Sequence, residues 1–442
     1  MNQFKYQTIA DKISARIDTG QYPQGSKLPT HRVLAEQLET TAVTVAKAYK
    51  LLVERRIIES FVGRGSYVLS HQLKSAISVR QNTHELNFSI LQPCLKQSVF
   101  ELQQVFRERL TPFNPQLLAY TENSRMQEHR LAGAKWCAHF GLNVTSSDEI
   151  ILTNGAQNAL ASLIQLYSKE GDCIAVEAFT YPAILSICKY MHRRVVAIEM
   201  DQQGMLPEAL LSQSRMEKPA LVIVVPAQQN PTGATMSNSR RAAIAKVIVE
   251  EVLWLIEDDI YAFLNQEALR PISNLIPQRC FYISSLSKAI SPGMRCGYLK
   301  CPPNQVERVQ DYMRATLWLP SPFMFDVASS LVDSEKAFSA AALQKIKASM
   351  RQRLVTKFLV RRAIDRQLTS YSCWLHLPVG CSSEYFTDAA FKQGVLVSDA
   401  SYFSVAKSIN AVRLSVMAIE DDALFIKGLQ KIERLLCDIE SI

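Results

Sequence analysis

The chain has 442 residues, 48% of them hydrophobic and 20% charged, a composition that excludes a mostly disordered protein. It is too long for one ordinary domain, and no apolar run approaches the ~20 residues that a membrane helix needs. The net charge is +8, and residues 1–80 hold 12 Lys and Arg against 6 Asp and Glu, so a polyanionic partner is expected for this basic segment.

The amino terminus and the cysteines indicate where the protein works. Residues 1–12 are polar and lack the apolar stretch of an export signal. Ten cysteines are scattered without CxxC pairs, so we expect reduced thiols that mostly fill the core, and no metal site. These features predict a cytoplasmic protein.

Residues 1–70 predict three short helices followed by two strands. Isoleucines four apart mark the first helix in residues 9–17. Thr30 can cap a second helix that places Val33 inward, and a third helix runs on to Glu54 with Val53 inward. Strands at 57–62 and 67–69 then flank a glycine turn with a basic tip. Two helices joined by a tight turn are typical of a helix-turn-helix.

The run GSKLPTHRVLAEQLETTAVTVAKAYKLLVERRIIESFVGRGSYV resembles the winged helix of the GntR family of bacterial regulators. The resemblance implies that Arg32, Thr41 and Thr44 approach DNA around the major groove. It also implies that Arg64 and Gly65 form the tip of the wing. Arginine contacts to phosphates and short hydroxyl contacts to phosphates or bases are common in such complexes.

The sequence departs from the GntR pattern in the recognition helix. Family members often carry arginine just after the position of Thr41, where this chain has Ala42. Base readout is therefore expected to be weaker, or to shift to Thr44 and Lys47. The alternative, a winged helix used for protein contacts, does not explain the basic charge of the same segment. Residues 71–86 show no clear period and are interpreted as a linker.

Residues 87–442 predict an α/β domain with a mostly parallel sheet covered by helices. Buried strands are expected at 150–153, 173–176, 221–225, 252–256 and 280–284, with helix-length segments between them. Ligands of such sheets bind at the carboxyl ends of the strands. The residues whose side chains could bind a ligand or react follow these strand ends.

Two of these strand ends favour binding of a phosphorylated, flat ligand. Gly155 allows a tight turn, after which the N–H groups of Ala156 and Gln157 open a helix and point at an anion. Tyr181 could stack on a heterocycle. Taken singly, an ordinary strand-to-helix turn and a core tyrosine are the alternatives.

The later strand ends supply polar and ionisable groups. Asn230 and Tyr261 could bond a phenolic oxygen, and Asp258 could pair with a protonated ring nitrogen. Lys288 could form a Schiff base with an aldehyde. Phosphate donors of the right kind are Ser285, Ser287 and Arg295. An Asn-Pro turn, a solvated acidic turn and a surface lysine are the ordinary alternatives.

The ordered set NGAQ, TYP, NPTG, DxxY and SLSK resembles the fold-type I pyridoxal-phosphate enzymes of the aminotransferase class. Intervals of 49, 28 and 30 residues separate Tyr181, Asn230, Asp258 and Lys288 in turn. The resemblance implies that Lys288 carries the cofactor, that Asp258 meets the ring nitrogen, and that Tyr181 stacks on the ring. Asn230 and Tyr261 would meet the ring oxygen.

The same resemblance assigns a carboxylate site and a dimer. Arg413, in VRLS, falls where the class binds a substrate carboxylate. Tyr120 falls where a tyrosine reaches the phosphate of the partner subunit, which implies a head-to-tail homodimer. Arg125 and Leu91 stand where relatives carry glycine, and His129 where they carry leucine. These departures concern substrate turnover more than cofactor binding.

Together the two halves resemble the MocR subfamily of GntR-type transcription regulators. That resemblance implies a protein that senses pyridoxal phosphate, alone or with an amine-bearing metabolite, and alters its grip on an operator. An active aminotransferase is the main alternative, because every residue needed for chemistry on an amino acid is present. A plain vitamin B6 carrier would not need the winged helix.

Overall fold

The computed structural model describes residues 5–18, 21–22, 26–54, 57–61, 65–68, 86–110, 114–120, 124–405 and 409–441. The chain divides into two compact units, Met1–Val79 and Arg80–Ile442. The predicted linker 71–86 lies outside the described residues except for Leu86, which begins a strand. The predicted domain limits stay predictions.

The smaller unit contains three helices and a hairpin among its described residues. These elements are α1 (Lys5–Asp18), α2 (His31–Gln37), α3 (Ala42–Glu54), β1 (Ile58–Phe61) and β2 (Gly65–Val68). Thr30 caps α2 as predicted, since its hydroxyl accepts a hydrogen bond from the Val33 N–H at 3.4 Å. β1 and β2 pair antiparallel, from Ile58 opposite Val68 to Phe61 opposite Gly65.

The apolar faces of these helices are narrower than the sequence indicated. Leu34 and Leu52 are fully buried, but their neighbours Val33 and Val53 are exposed. Adjacent residues point about 100° apart on a helix, and a unit of this size buries only one stripe of each helix. The inward placement of Val33 and Val53 was therefore wrong.

The larger unit contains the remaining helices and strands. Its strands are β3 (Leu86–Asn87), β4 (Ile150–Thr153), β5 (Cys173–Glu177), β6 (Arg194–Ile198), β7 (Met200–Asp201), β8 (Gly204–Met205), β9 (Leu221–Val224), β10 (Leu255–Asp258), β11 (Cys280–Ser285), β12 (Gly297–Lys300), β13 (Ile364–Arg366), β14 (Ser372–His376), β15 (Val395–Leu396), β16 (Ser398–Asp399) and β17 (Ala411–Ser415). Its α-helices are α4 (Leu95–Leu110), α5 (Ser124–His139), α6 (Ala156–Tyr167), α7 (Pro182–Tyr190), α8 (Pro207–Glu217), α9 (Asn238–Glu250), α10 (Val306–Thr316), α11 (Pro322–Asp333), α12 (Lys336–Phe358), α13 (Ser383–Lys392) and α14 (Asp422–Glu440). Short 3₁₀ turns lie at Pro115–Leu118, Ser147–Glu149, Ala262–Leu264, Ile272–Asn274, Pro292–Met294, Pro303–Gln305 and Ala400–Tyr402.

The central sheet has the order β4-β12-β11-β10-β9-β5-β6. Only β12 runs antiparallel to its neighbours, so the prediction of a mostly parallel sheet is confirmed. β4, β5, β9, β10 and β11 are buried along their whole length, as strands covered on both faces must be. Their carboxyl ends lie at one edge and carry the candidate site.

The strand predicted at 252–256 begins later, at Leu255. Val252 and Leu253 instead end α9, with Val252 in a left-handed conformation (φ 55°) and the Leu253 N–H bonded to the Ile248 oxygen at 2.9 Å. This is the usual closure of a helix end, here without glycine. An apolar run therefore contained both the end of a helix and the start of a strand.

A second, antiparallel sheet of order β13-β14-β17-β16 is formed by carboxyl-terminal residues. Across it, Arg413 on β17 stands opposite Trp374 and Ser398. β3 pairs with β15, which attaches the start of the larger unit to this region. The sequence reasoning had not predicted these short strands.

None of the helices within the described ranges has the length and apolar character needed to cross a membrane. All ten cysteines are free thiols, and nine of them are buried. The prediction that most cysteines fill the core is confirmed.

Candidate functional site

Lys288 lies in the turn after β11 and is half-buried. Its Nζ donates a hydrogen bond of 2.6 Å to the backbone oxygen of Leu91. The Tyr371 hydroxyl donates a hydrogen bond of 2.8 Å to the backbone oxygen of Lys288. Burial, helped by the positive charge of Arg413 and opposed by Asp258, lowers the pKa of Lys288 to about 8. A useful fraction of the amine is therefore neutral near pH 7, as nucleophilic attack requires.

Asp258 is a buried carboxylate at the end of β10. It is 3% exposed, and its Oδ1 has no hydrogen-bond partner among the described residues. Burial and the charge of Asp259 raise the pKa of Asp258 to about 7, while Lys288 acts in the opposite direction. By contrast, Glu257 accepts two backbone N–H groups at 2.8 Å each. Asp258 is thus available to a ligand, whereas Glu257 serves the fold.

Arg413 lies on β17 and is 6% exposed. Nη1 donates to Asn230 Oδ1 at 2.8 Å, and Nη2 donates to the Ser398 hydroxyl at 3.0 Å and to the backbone oxygen of Ser89. Phe403 faces the guanidinium, with Cζ 4.8 Å from the ring centroid. Burial lowers the pKa of Arg413 to about 10. No carboxylate of the described chain pairs with it, so this charge is available to an anion.

Two predicted tyrosines lie in the same region. Tyr261 is buried, with its ring edge-on to Tyr371 at 5.9 Å. Tyr181 is half-buried at the start of α7, where the charge of Asp258 raises its pKa and the charge of Arg413 lowers it. Burial raises the pKa of both Tyr181 and Tyr261, so both hydroxyls remain donors at neutral pH.

The start of α6 presents free backbone donors. Gly155 precedes it with φ 80°, and no side chain caps the N–H groups of Ala156 and Gln157. A Cβ on residue 155 would lie 2.5 Å from Nη2 of Arg295, so a side chain there would push that guanidinium away, and the positive φ itself favours glycine. Arg295 Nη2 also donates to the Asn154 oxygen at 3.2 Å. Free N–H groups, the helix dipole and a cation are together suited to an anion.

Ser285 and Ser287 lie on the turn that carries Lys288. The Ser285 hydroxyl donates to the Cys296 backbone oxygen at 3.0 Å and lies 2.9 Å from the Ser287 hydroxyl. It also accepts the Ser287 N–H at 3.1 Å. Ser285 therefore shapes the turn, and the Ser287 hydroxyl is the freer of the two to meet a ligand.

The sequence reasoning missed Gln229, which is fully buried and joins two loops of the site. Its Nε2 donates to Glu177 Oε2 at 3.1 Å and to a backbone oxygen of the loop that leads into Tyr181. Its Oε1 accepts the N–H and hydroxyl of Thr232 at 3.2 and 2.8 Å. Gln229 thereby fixes the turn of its neighbour Asn230. A polar residue next to Asn230, in the loop that follows β9, was the available signal.

Tyr120 does not join these residues within one chain. It is 79% exposed, and its ring lies 5.7 Å from that of Trp318, which is 58% exposed. Its predicted contact with the phosphate of a partner subunit stays a prediction.

In the smaller unit, the predicted DNA contacts lie on α2 and at the start of α3. Arg32 and Lys47 are exposed. Thr41 Oγ1 accepts the Thr44 N–H at 3.2 Å, and the two hydroxyls are 2.8 Å apart. Both threonines therefore close the first turn of α3. Lys47 and the exposed Val43, one turn apart, form the outward face of the helix.

Gly65 lies at the described end of the wing with φ 105°. A Cβ there would lie 2.7 Å from Cε of Lys27, which also faces the Tyr67 ring at 5.9 Å. Lys27, missed in the sequence reasoning, adds a positive charge beside Gly65 on the wing. Arg64, the other predicted tip residue, lies outside the described residues.

The groups of the larger unit fit pyridoxal phosphate. The orphaned Oδ1 of Asp258 suits a protonated ring nitrogen, and the amine of Lys288 suits an aldehyde. Gly155 has no side chain to block its backbone, and Arg295 lies beside it, so a phosphate can come close to both. Three segments far apart in sequence, around residues 155, 258 and 288–295, bring these groups to one edge of the sheet.

Comparison with known families agrees with this arrangement. Residues 84–432 match the model described as aminotransferase class I and II, and residues 5–68 match that of bacterial regulatory proteins of the gntR family. The chain is 27% identical to an uncharacterised HTH-type transcriptional regulator of Bacillus subtilis, YdeF, over 98% of this chain and 95% of that protein. It is 24% identical to the vitamin B6 salvage pathway transcriptional repressor PtsJ of Salmonella typhimurium, over 94% and 95%.

Solved structures that share the fold of the larger unit include aminotransferases. A multiple substrate aminotransferase from Thermococcus profundus superposes with a TM-score of 0.76 at 20% identity, over 84% of this chain and 96% of that one. A kynurenine aminotransferase from Pyrococcus horikoshii gives 0.73 at 22% identity, over 81% and 92%. The class I and II model covers most of the chain, and its family implies pyridoxal phosphate as the cofactor. The chain therefore belongs to the class I and II aminotransferase family and, because a GntR-type helix-turn-helix precedes that domain, it is a transcription regulator of the MocR type.

Proposed function

We propose that the chain binds pyridoxal phosphate, alone or with an amine-bearing metabolite, and that this binding alters its grip on operator DNA. One observation carries the proposal: the set of Lys288, Asp258 and Arg413 occurs in the same chain as an exposed basic winged helix. An aminotransferase has no use for the winged helix, and a plain DNA-binding protein has no use for the buried ionisable set.

The residues of the larger unit divide the tasks of holding the cofactor. Pyridoxal phosphate, when bound, supplies an aldehyde and a ring that withdraws electrons. Lys288 offers the amine, and Asp258 holds the ring nitrogen in its protonated form. The phosphate is held by donors at the start of α6 and on the turn of the lysine: Gly155, Ala156, Gln157, Ser285, Ser287 and Arg295. Asn230 and Tyr261 would donate to the ring oxygen, and Tyr181 would stack on the ring.

Arg413 selects an amine that also carries a carboxylate. Its guanidinium is buried, has no carboxylate partner in the described chain, and keeps Nε unbonded. A carboxylate can engage such a group through two parallel hydrogen bonds. Asn230 orients the guanidinium through Nη1, so cofactor and amine are positioned by a shared side chain.

The smaller unit binds the operator. Arg32, Lys27 and Lys47 neutralise phosphates, and Thr44 with Lys47 meets the bases or backbone at the start of α3. Gly65 and Arg64 form the wing tip. A protein with this task works in the cytoplasm.

The active assembly is a head-to-tail homodimer. Support comes from Tyr120, which is exposed beside the exposed Trp318, its ring contact among the described residues. A stable monomer that retains cofactor in sedimentation experiments would contradict the dimer.

An active aminotransferase is the second candidate. It is favoured by Arg413, which has no carboxylate partner among the described residues, and by the lowered pKa of the Lys288 amine. Sustained turnover with an amino acid and a keto acid would favour that function. A single half-reaction would not.

The coupling experiment is a titration of pyridoxal phosphate with and without operator DNA. Coupling free energies of about 1–3 kcal/mol change an affinity roughly 5- to 150-fold, and coupling is reciprocal. We expect operator to change the cofactor affinity, with the same factor when the titration is reversed. The Lys288→Ala variant should lose the borohydride-sensitive absorption band and the coupling. Identical isotherms with and without operator would reject the proposal.

A further inference from the structure

Residues 89–93, which we name the strap, cross the site between two anchors. On one side Phe88 is fully buried, and its backbone oxygen accepts the Ser415 N–H at 2.7 Å. On the other side, Cys94 and Gln344 exchange two hydrogen bonds, of 3.1 and 2.8 Å. Both anchors attach the strap to carboxyl-terminal elements, β17 and α12.

Two backbone oxygens of the strap accept hydrogen bonds from the two cationic groups at the centre of the site. The Leu91 oxygen accepts from Lys288 Nζ at 2.6 Å. The Ser89 oxygen accepts from Arg413 Nη2 and from the Ser398 hydroxyl, the latter at 3.1 Å. Arg413 and Ser398 lie in the same antiparallel sheet, next to the strap's own anchor on β17. Among the hydrogen bonds between described residues, the one from Lys288 is the only one that joins the strap to the turn after β11.

Lys288 cannot hold the strap and react with an aldehyde at the same time. In that condensation the neutral amine adds to the aldehyde carbon, a C=N bond forms, and both amine protons leave with the aldehyde oxygen as water. An ammonium group has three N–H donors. The product nitrogen has none, or one after protonation. The step that attaches the cofactor therefore takes away at least two of the three N–H donors from which the Leu91 oxygen draws its bond.

We propose that the strap is a latch, held by the Lys288 amine in the cofactor-free chain and released when the cofactor loads. The inference rests on the proposed function, which supplies the aldehyde. Release removes a bond between the carboxyl-terminal elements and the turn after β11, while the Ser89–Arg413 contact remains. The change is thus centred on residues 90–92, and it converts cofactor occupancy into a change of backbone position at the site.

A thiol at position 91 reports on the latch and keeps its hydrogen bond, although it shortens a half-buried side chain that packs against the core. The latch uses the backbone oxygen of Leu91, which Leu91→Cys retains. All native cysteines are buried except Cys437, so Cys437→Ser gives a background with low thiol reactivity. Val379→Cys in the same background is the control, because Val379 is fully exposed in a turn.

Maleimide labelling of the Leu91→Cys thiol is measured in cofactor-stripped protein, with pyridoxal phosphate, and with pyridoxine 5′-phosphate, an alcohol that cannot condense. We expect pyridoxal phosphate to raise the rate roughly 10- to 150-fold, the effect that losing one hydrogen bond from a charged group has on the open population. The alcohol should leave the rate unchanged, and the Val379→Cys control should not respond to either compound. Adding Lys288→Ala should give the raised rate with no ligand present.

Equal acceleration by the alcohol and the aldehyde would overturn the latch, since site occupancy rather than reaction at Lys288 would then move the strap. Equal labelling rates with and without Lys288→Ala would also overturn it. The same holds if the cofactor loads and the labelling rate does not rise. Failure of the borohydride-sensitive band to form would instead reject the proposed function. In that case the Lys288→Ala comparison, which uses no cofactor, still decides whether the lysine holds the strap.

Discussion

Replacing Asp258 by Asn should stabilise the cofactor-free protein and weaken its cofactor binding. In the folded chain, burial and the charge of Asp259 raise the pKa of Asp258 from 3.8 to about 7. Each unit of pKa is worth about 1.4 kcal/mol, so at pH 8 the buried carboxylate costs about 4 kcal/mol of folding free energy. A neutral side chain of the same shape avoids this cost.

The sign of the effect makes the prediction specific to pH. Because the folded protein holds the proton more tightly than the unfolded chain, Asp258 favours folding most below pH 3.8, and this contribution is lost as the pH rises to about 7. Asn does not titrate. The stability of the variant relative to the wild type should therefore rise by about 2–3 kcal/mol between pH 5 and pH 8. Unpaired amide hydrogens of Asn cost about 1–3 kcal/mol at either pH and cancel in this difference.

Urea unfolding of the stripped protein at the two pH values, followed by tryptophan fluorescence, measures the effect. Asp422→Asn is the control, because the pKa of Asp422, despite a raising effect of burial, is lowered by Lys347 and Arg351. That variant should lose stability equally at pH 5 and pH 8. Asp258→Asn should also raise the dissociation constant for pyridoxal phosphate about 10- to 150-fold, the usual effect of losing a hydrogen bond to a charged group. A relative stability independent of pH, or unchanged cofactor affinity, would refute the reasoning.

Three further predictions concern other parts of the chain. The rate of cofactor loading should rise with pH and level off above about 8, because the pKa of Lys288 is lowered to about 8; stopped-flow absorbance with an inflection near 10 would contradict this. Gln229→Leu should cost about 1–3 kcal/mol of stability and weaken cofactor binding, measured by urea unfolding and titration, because it leaves buried partners on two loops unpaired. Lys47→Ala should reduce the slope of log affinity for DNA against log salt by about 0.9, whereas Lys246→Ala on α9 should not change it.

Apolar runs and capping residues predicted the strands and helices correctly wherever one such pattern belonged to a single element. β4 has the bounds 150–153 that its short apolar run indicated, and Thr30 caps α2. The strand at 252–256 was misplaced because Val252 and Leu253 close α9 before β10 begins, and apolar character alone does not separate the two. Neighbours such as Val33 and Leu34 differ in burial because the partner surface, rather than the helix itself, decides which stripe is covered.

The candidate site shows the same division. Residue type and the order of the motifs pointed to Lys288 and Asp258, and the resemblance to the aminotransferase class added Arg413, because the chemistry of an amine, a carboxylate and a guanidinium can be read from the sequence. The sequence could not indicate that the backbone oxygen of Leu91 meets Lys288, since every residue has such an oxygen and 197 positions separate the pair. Nor could it indicate that Gln229 joins two loops.

By itself, then, the sequence determined the two-part organisation, the kind of sheet and the chemical groups at its edge, because these depend on local periodicity, charge and side-chain type. The tertiary structure alone decided which groups are left without partners and which are held by the chain itself. Those properties arise from packing between distant segments, such as Cys94 with Gln344 across 250 positions, and no local pattern encodes them. The orphaned oxygen of Asp258 and the strap over Lys288 are both consequences of that packing.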